Sequence, residues 1–342
     1  INHVFKQCGV QVKSAYVGIG DYRVETHTAR GLVAISRADG QIAEDDLRRA
    51  VDAAEESMPR LQNRHILHFF PIGYRVDGDT AVRDPVGMHG MKLEVEVVFI
   101  TTFLPHYKDL MDAVDQAGIS TDDVVVSHLA TSSLLLTKKQ KEIGVLLLNF
   151  GAQTTELSVW EEGMLLSLEV LPIGAAHITH DIALGFQINL EAAERLKKSY
   201  ATLVEGGKKE IRLSGYDKSL EANFSSRKLQ DIVHARLGDI FELTNKHLKK
   251  IGRAGLLPAG IVMTGGGSRL SGIVDIAKNE LKLPAAVGTL SGFSGKRELV
   301  DGPEWATALG LCVWGSDQDT TTTKSVSPYM KRLKRFVKSL IP

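Results

Sequence analysis

Short apolar strands alternating with helices predict an α/β fold, and four stretches define it. Residues 143–159, Ile-Gly-Val-Leu-Leu-Leu-Asn-Phe-Gly-Ala-Gln-Thr-Thr-Glu-Leu-Ser-Val, read as two strands folded about a small polar turn. Residues 145–148 are an uninterrupted apolar run, as expected of a strand buried on both faces. Leu157 and Val159 resume an apolar alternation. Residues 261–270, Ile-Val-Met-Thr-Gly-Gly-Gly-Ser-Arg-Leu, form an apolar strand that ends in Thr264 and three glycines before a helix start. Between these two lie Leu171-Pro-Ile-Gly174 and a helix carrying Glu191-Ala-Ala-Glu194-Arg-Leu-Lys197.

Each segment suits one part of a nucleotide. Gly151 opens the first turn, and its backbone N–H groups, with Gln153 and the hydroxyls of Thr154 and Thr155, can hold phosphate oxygens without a lysine. An ordinary hairpin whose threonines satisfy the turn fits the same residues. Gly174 follows the second strand of the hairpin. Gly265, Gly266 and Gly267, followed by Ser268, let backbone lie flat against a planar ring with no Cβ in the way. Glu194 and Lys197 are three apart and share a helix face from which both reach ribose hydroxyls. In this order the four segments match an actin-type cleft, so the expected architecture is two actin-like halves (the actin/Hsp70/sugar-kinase superfold) with peripheral subdomains, and the expected cofactors are ATP and Mg2+.

Ala15-Tyr-Val-Gly-Ile19, Arg64-His-Ile-Leu-His-Phe-Phe-Pro71, Asp84-Pro-Val-Gly-Met-His-Gly-Met91 and His234-Ala-Arg-Leu237 extend these matches over nearly all of the chain. With the segments above, they make it resemble the bacterial cell-division family FtsA, actin-like proteins that anchor the tubulin-like FtsZ filament to the membrane. The resemblance implies a chain that polymerises with bound ATP and works on the cytoplasmic face of the inner membrane at the division site. Its partners would be the C-terminal peptide of FtsZ, further copies of itself, anionic lipids and later division proteins. It also implies a first strand pair with an Asp-Ile-Gly phosphate loop, and no Asp-x-Gly turn between apolar strands precedes residue 15. A chain extended by that loop is expected to bind ATP more tightly.

The bulk properties agree. A length of 342 residues allows several domains, and an apolar fraction of 43% is globular. Lys plus Arg equals Asp plus Glu at 41 each, which argues against a nucleic-acid protein. The balance hides an asymmetry, since residues 327–342 carry five basic side chains and no acid. Cys8 and Cys312 are too few for a disulfide framework, and there is neither a signal peptide nor a spanning run of about 18 apolar residues. A reducing cytoplasm is the expected setting.

In chain order, residues 1–17 and 104–141 are expected to build the first core half, interrupted by a small α+β subdomain at 18–103. That subdomain has strands at 31–36, 66–70, 73–76 and 92–102 and a helix from Gln41, with Ile42, Leu47, Val51 and Ala54 at helical spacing and acids in its first turn. By resemblance it serves filament contacts and recruits later division proteins. His65, His68, His89 and His106 lack partners at ligand spacing, so a metal site is not expected. A helix at 105–117, a strand at 124–126 and a helix at 128–137 lead into the second half, residues 142–180 and 259–302. Residues 181–258 form a peripheral subdomain whose long helix, from about 226 to 250, carries Arg227, Lys228, Arg236 and Lys246. From the residues alone a solvated basic face is the favoured reading; the resemblance assigns Arg236 to contact with FtsZ.

A helix at 303–315 returns to the first half, and residues 316–326, with four consecutive Thr, read as a linker. Beyond it Tyr329, Met330, Leu333, Phe336, Val337, Leu340 and Ile341 recur at spacings of three and four, with Lys331, Arg332, Lys334, Arg335 and Lys338 between them. This is the pattern of an amphipathic helix lying in a membrane interface; a calmodulin-like target or an intramolecular docking helix is the alternative, and the linker argues against docking. The resemblance meets a departure at the central turn: actin-like ATPases begin it with Asp, which orders the attacking water, whereas Asn149 stands here, and Gln153 replaces the usual glycine. Phosphoryl transfer depends on such positioning, so slow or absent hydrolysis is expected, and a scaffold is favoured over a working sugar-kinase-like or chaperone-like ATPase.

Overall fold

The structure is a computed structural model that describes His3, Lys6 and residues 9–59, 62–205, 210–212, 223–290, 300 and 302–319. They fall into two compact units, one within Ile1–Ala130, Gly163–Leu168 and Leu311–Pro342, the other within Thr131–Glu162 and Glu169–Gly310. The division lies at residues 130/131 rather than at 141, and the subdomain expected at 18–103 belongs to the first unit.

The first unit holds β1 (Ser14–Ile19), β2 (Glu25–Ala34), α1 (Glu44–Ser57), β3 (Arg64–Val76), β4 (Lys92–Phe103), α2 (Leu104–Gln116), β5 (Ser120–Val126) and the start of α3 (Ser127–Leu135). β1 pairs in parallel with β5. The chain between them builds an antiparallel sheet of order β2-β4-β3. α1 covers this sheet because Leu47, Ala50, Val51 and Ala54 fall on one helix face and meet Leu93, Val95, Val97 and Phe99 from alternate positions of β4. Gly31 sits where β2 crosses α1, and a Cβ there would lie 1.9 Å from the Ala50 carbonyl oxygen.

β2 and β5 begin earlier than the sequence reading has them, at Glu25 and Ser120, and two further differences have a local cause. The strands expected at 66–70 and 73–76 are one strand, β3, whose register slips between Pro71 and Gly73; proline has no N–H to give the ladder there. β2 ends at Ala34, short of residue 36, because Ser36 turns its N–H and hydroxyl to Asp46 Oδ1 at 3.1 and 2.9 Å. Ala43 N–H reaches Asp46 Oδ2 at 2.9 Å, and Arg49 pairs with the same carboxylate. Burial pushes that carboxyl up, but the donors from Ala43, Ser36 and Arg49 outweigh it and hold it at about 2.

The second unit continues with the rest of α3, α4 (Lys138–Ile143), β6 (Val145–Phe150), β7 (Thr155–Glu161), the end of β8 (Met164–Leu171), α5 (Ala175–Phe186), α6 (Leu190–Glu205), β9 (Glu210–Arg212), β10 (Asn223–Ser225), α7 (Ser226–Lys250), β11 (Ile261–Thr264), α8 (Ile273–Leu281), β12 (Ala285–Val287) and the start of α9 (Ala306–Asp319). Its sheet has the order β12-β11-β6-β7-β8. Val145, Leu146, Leu147 and Leu148 are fully buried, as the apolar run requires of a central strand.

α9 runs to Asp319, past the expected linker boundary at 316. Within the first unit its Trp314 meets His68 edge-on at 6.0 Å, and Gly315 packs on the Tyr16 ring so tightly that a Cβ would fall 2.5 Å from it. These contacts carry the helix beyond residue 315. The remaining linker and the tail, including Met330, Lys331, Arg332, Leu333, Lys334, Arg335, Phe336, Val337, Lys338 and Leu340, lie outside the described residues. Among the described residues no helix is long and apolar enough to cross a membrane.

Candidate nucleotide site

β6 and β11 are parallel neighbours whose register brings Asn149 opposite Thr264. The two glycine-bearing loops therefore leave the sheet side by side, at the carboxyl ends of adjacent parallel strands, where ligands of open α/β sheets bind. Residues 151–154 form one loop. Gly265–Ser268 forms the other and tightens into a 3₁₀ turn over Gly266–Arg269.

In the first loop Gly151 N–H closes the turn on the Thr154 carbonyl at 3.0 Å. The N–H groups of Ala152, Gln153 and Thr154 take no partner among the described residues, and Ala152 and Gln153 are exposed. Such consecutive unpaired donors form an anion-binding concavity. The carbonyls of the same turn face α5: Ala175 N–H donates to Gly151 at 3.0 Å and Ala176 N–H to Ala152 at 2.7 Å. The first orphan amides of α5 are thus spent on the turn, which fixes its shape and leaves its own N–H groups for a ligand.

Several residues expected to touch a nucleotide hold the loops instead. Thr155 is fully buried, with its hydroxyl donating to the Ile173 carbonyl at 2.7 Å, so it cannot serve a phosphate. Ser268 is buried and donates to the Gly265 carbonyl at 2.7 Å. Gly174 is required because a Cβ would fall 2.6 Å from the Ala152 oxygen. Gly265 adopts φ +82°, with the Asn149 side chain and Phe150 backbone filling its Cβ position, and Gly267 lies on the Phe150 ring. Only Gly266 of the three faces open space, where a Cβ would meet no atom within 4 Å. Lys197 Nζ reaches Glu194 at 2.6 Å, Thr179 Oγ1 at 2.9 Å and the Ala175 carbonyl at 3.2 Å. The Glu194–Lys197 pair is therefore pinned to the first turn of α5, next to the loops.

Glu156 is a site residue that the motifs did not point to. It is buried and accepts from Asn149 Nδ2 at 3.1 Å across the hairpin. Burial pushes its carboxyl up to about 7, against the opposing donation from Asn149. A four-residue turn at 151–154 by itself sets position 156 opposite 149, so the pairing was readable from the turn length.

Two family models match this chain: "Cell division protein FtsA" over residues 146–310, which include both loops, and "SHS2 domain inserted in FTSA" over residues 22–101. FtsA of Pseudomonas aeruginosa is 30% identical over 353 residues, covering 98% of this chain and 84% of that protein. The chain belongs to the FtsA family. FtsA of Bacillus subtilis is 31% identical, covering 90% of this chain and 69% of that protein. Among solved structures, the PilM–PilN type IV pilus biogenesis complex matches with TM-score 0.57 at 20% identity, over 85% of this chain and 76% of that one. MreB5 of Spiroplasma citri bound to ADP matches with TM-score 0.52 at 17% identity, over 64% and 67%. The fold is actin-like, as the four ordered segments predict.

In this FtsA-family chain Arg236 lies on α7 and is already engaged. Its Nε and Nη2 grip both oxygens of Asp181 on α5 at 2.6 and 2.9 Å, and Nη1 reaches Asp239 at 3.1 Å. The three side chains line a shallow cavity of about 300 Å³ with Leu184, Ile232 and Ala235. Leu184 is 77% exposed. With two acids against one base, this face is not the free cationic site that helical charge alone suggests.

Proposed function

We propose that this chain is a polymerising scaffold of cell division that binds ATP and ties FtsZ filaments to the cytoplasmic face of the bacterial inner membrane. The observation that carries the nucleotide part is the in-register exit of two loops from β6 and β11, one with three N–H groups unpaired among the described residues and the other with an open glycine. Residues 151–154 take the phosphates, Gly266 lies under the base, and Mg2+ travels with the phosphates. Bound magnesium-nucleotide would supply only charge neutralisation at this site; Asn149, neutral and already donating to Glu156, is a poor activator of water, so slow or absent hydrolysis follows. An ADP-bound relative of the fold, MreB5, supports nucleotide at an actin-like site. Gly266→Trp is expected to lower ATP affinity at least about tenfold, or 1.4 kcal/mol, in equilibrium binding. Unchanged affinity removes Gly266 from the base-binding surface.

The FtsZ tail peptide is proposed to dock beside Arg236, its apolar side chains on Leu184 and Ile232 and a carboxylate displacing Asp181. Arg236→Glu should weaken an acidic FtsZ tail peptide by about 1–3 kcal/mol, the range for a charge-assisted hydrogen bond, and Asp181→Asn should tighten it by freeing the guanidinium. Equal affinity in all three proteins, read by fluorescence anisotropy, moves the partner site elsewhere.

Residues 327–342 are proposed as a reversible anchor. Basic residues near an anionic surface contribute about 1 kcal/mol each, and a filament multiplies such helices into a durable attachment. The test is sedimentation with anionic liposomes: the intact chain should pellet, and Phe336→Glu or a chain ending at Ser325 should stay in the supernatant. If the shortened chain pellets as well as the intact one, the tail is not the anchor.

A further inference from the structure

The first unit carries a chain of polar contacts to which the proposed function gives no role. It lies where the connection from β1 to β2 passes the first turn of α2. His106 Nδ1 stands 2.6 Å from Asp21 Oδ2, and its Nε2 stands 2.6 Å from Arg23 Nη1. A carboxylate accepts and a guanidinium only donates, so this arrangement fits the neutral ring with its proton on Nδ1. Arg23 is held from its other side as well: Nε and Nη2 donate to the Tyr22 hydroxyl at 3.0 and 2.8 Å, and the guanidinium lies 5.0 Å from the centre of the Phe103 ring. The Arg23 carbonyl accepts from Arg64 Nη2 at 2.6 Å. Arg64, on β3, also donates to Thr101 Oγ1 on β4 and pairs with Glu25 on β2. Residues 21–25 therefore tie α2 to the β2-β4-β3 sheet of the same unit, and His106 is the link on the α2 side. Its side chain is 39% exposed, so solvent protons reach it.

A proton on Nε2 turns the acceptor of this chain into a donor. The imidazolium then faces a guanidinium at hydrogen-bond distance, two like charges with no acceptor between them. Asp21 still accepts from Nδ1, so the conflict falls on Arg23. We propose that His106 is a proton-operated latch of the first unit: neutral, it holds Arg23 and the connection at 21–25 closed, and protonated, it releases them. The proton comes from solvent and no covalent bond other than N–H changes. Histidine changes charge between about pH 5 and 8, and the closed form is lost as the pH falls through that range. Asp21 and His106 also form one wall of a cavity of about 450 Å³ lined by Gly18, Gly20, Asp109 and Leu110, which the latch therefore shapes. The other charged and titratable groups on the packed elements are Asp109 on α2, Arg64 and His65 on β3, and Glu25 and His27 on β2. His65 stacks on Tyr107 with ring centres 4.2 Å apart. His27 is held below the usual histidine range, by burial first and by Arg64 second, against Glu25. The latch is independent of the nucleotide reading.

Hydrogen exchange of the full-length protein, read by mass spectrometry at about pH 5.5 and 7.5 and corrected for the intrinsic rates, measures the opening. Peptides covering residues 20–27 should open at least about tenfold more often in wild type at the lower pH, one proton allowing up to about tenfold per pH unit. Peptides from α7, in the second unit, should not change. His106→Gln sets an amide N–H toward Asp21 and an amide oxygen toward Arg23 with no titrating ring. Arg23→Gln removes the cation that a charged ring would meet. Both variants should lose the pH dependence, and where only one of them folds, that one decides. A wild type without pH dependence at 20–27, or a pH dependence kept by a folded variant, overturns the latch. Equal acceleration in α7 overturns it too, since it reports loss of the whole fold.

Discussion

Gly31→Val is expected to destabilise the first unit by about 4 kcal/mol, above the usual cost of overpacking a core. The reason is that the obstacle is backbone. The new Cβ would lie 1.9 Å from the Ala50 carbonyl oxygen and 2.5 Å from the Ala54 nitrogen, and neither can rotate away as a side chain would. Either α1 lifts off the β2-β4-β3 sheet, exposing Leu47, Val51 and the β4 residues beneath, or the helix breaks. Urea unfolding followed by circular dichroism should give a lower midpoint, with loss of the first unit ahead of the second. Gly238→Ala is the matched control: it lies in α7 with open space at its Cβ position, and should gain about 0.5–1 kcal/mol from helix propensity. A loss under 1 kcal/mol for Gly31→Val would mean that α1 does not sit against β2.

Glu156→Gln should stabilise the second unit, by an amount that depends on pH in one direction only. Below about pH 4.5, the ordinary value for the group, the carboxyl is protonated in folded and unfolded chains alike, and the variant should match the wild type. Between 4.5 and about 7 the unfolded chain ionises while the folded chain holds its proton, so the stability of the wild type declines as the pH rises. Above 7 the full difference is present, about 3 kcal/mol at 1.36 kcal/mol per pH unit. Thermal unfolding at pH 4 and pH 8 tests this. Equal gains at both would assign the effect to packing, and no gain at pH 8 would mean that Glu156 ionises at its ordinary value in the folded chain.

Much of this site could be read before the structure, because its parts are local. The run Val145–Leu148, the three glycines after Thr264 and the i,i+3 spacing of Glu194 and Lys197 are each short-range patterns, and β6, β11 and α6 appear where they indicate. What sequence could not supply was the direction of each polar group. Thr154 and Thr155 look alike as hydroxyl donors, yet the strand alternation that begins at Thr155 turns its hydroxyl inward to Ile173. Gly265, Gly266 and Gly267 read as one flat platform, yet two of them are glycine for the sake of Asn149 and Phe150 and only Gly266 opens outward. Arg236 reads as a free cation because its partner Asp181 is 55 positions away on another helix. β3 read as two strands because Pro71 interrupts the pattern without ending the strand.

α5 is fastened at both ends. At its start, Ala175 and Ala176 hang from the carbonyls of the 151–154 turn. Further along, Asp181 is clamped by Arg236, and Gly185 lies so close to Ile232 that a Cβ would fall 2.6 Å from its Cδ1. A helix of 12 residues is about 18 Å long at 1.5 Å per residue and is stiff over that length. The 151–154 turn and the Asp181–Arg236 clamp therefore share one rigid support, each fastened to a different stretch of the same short helix.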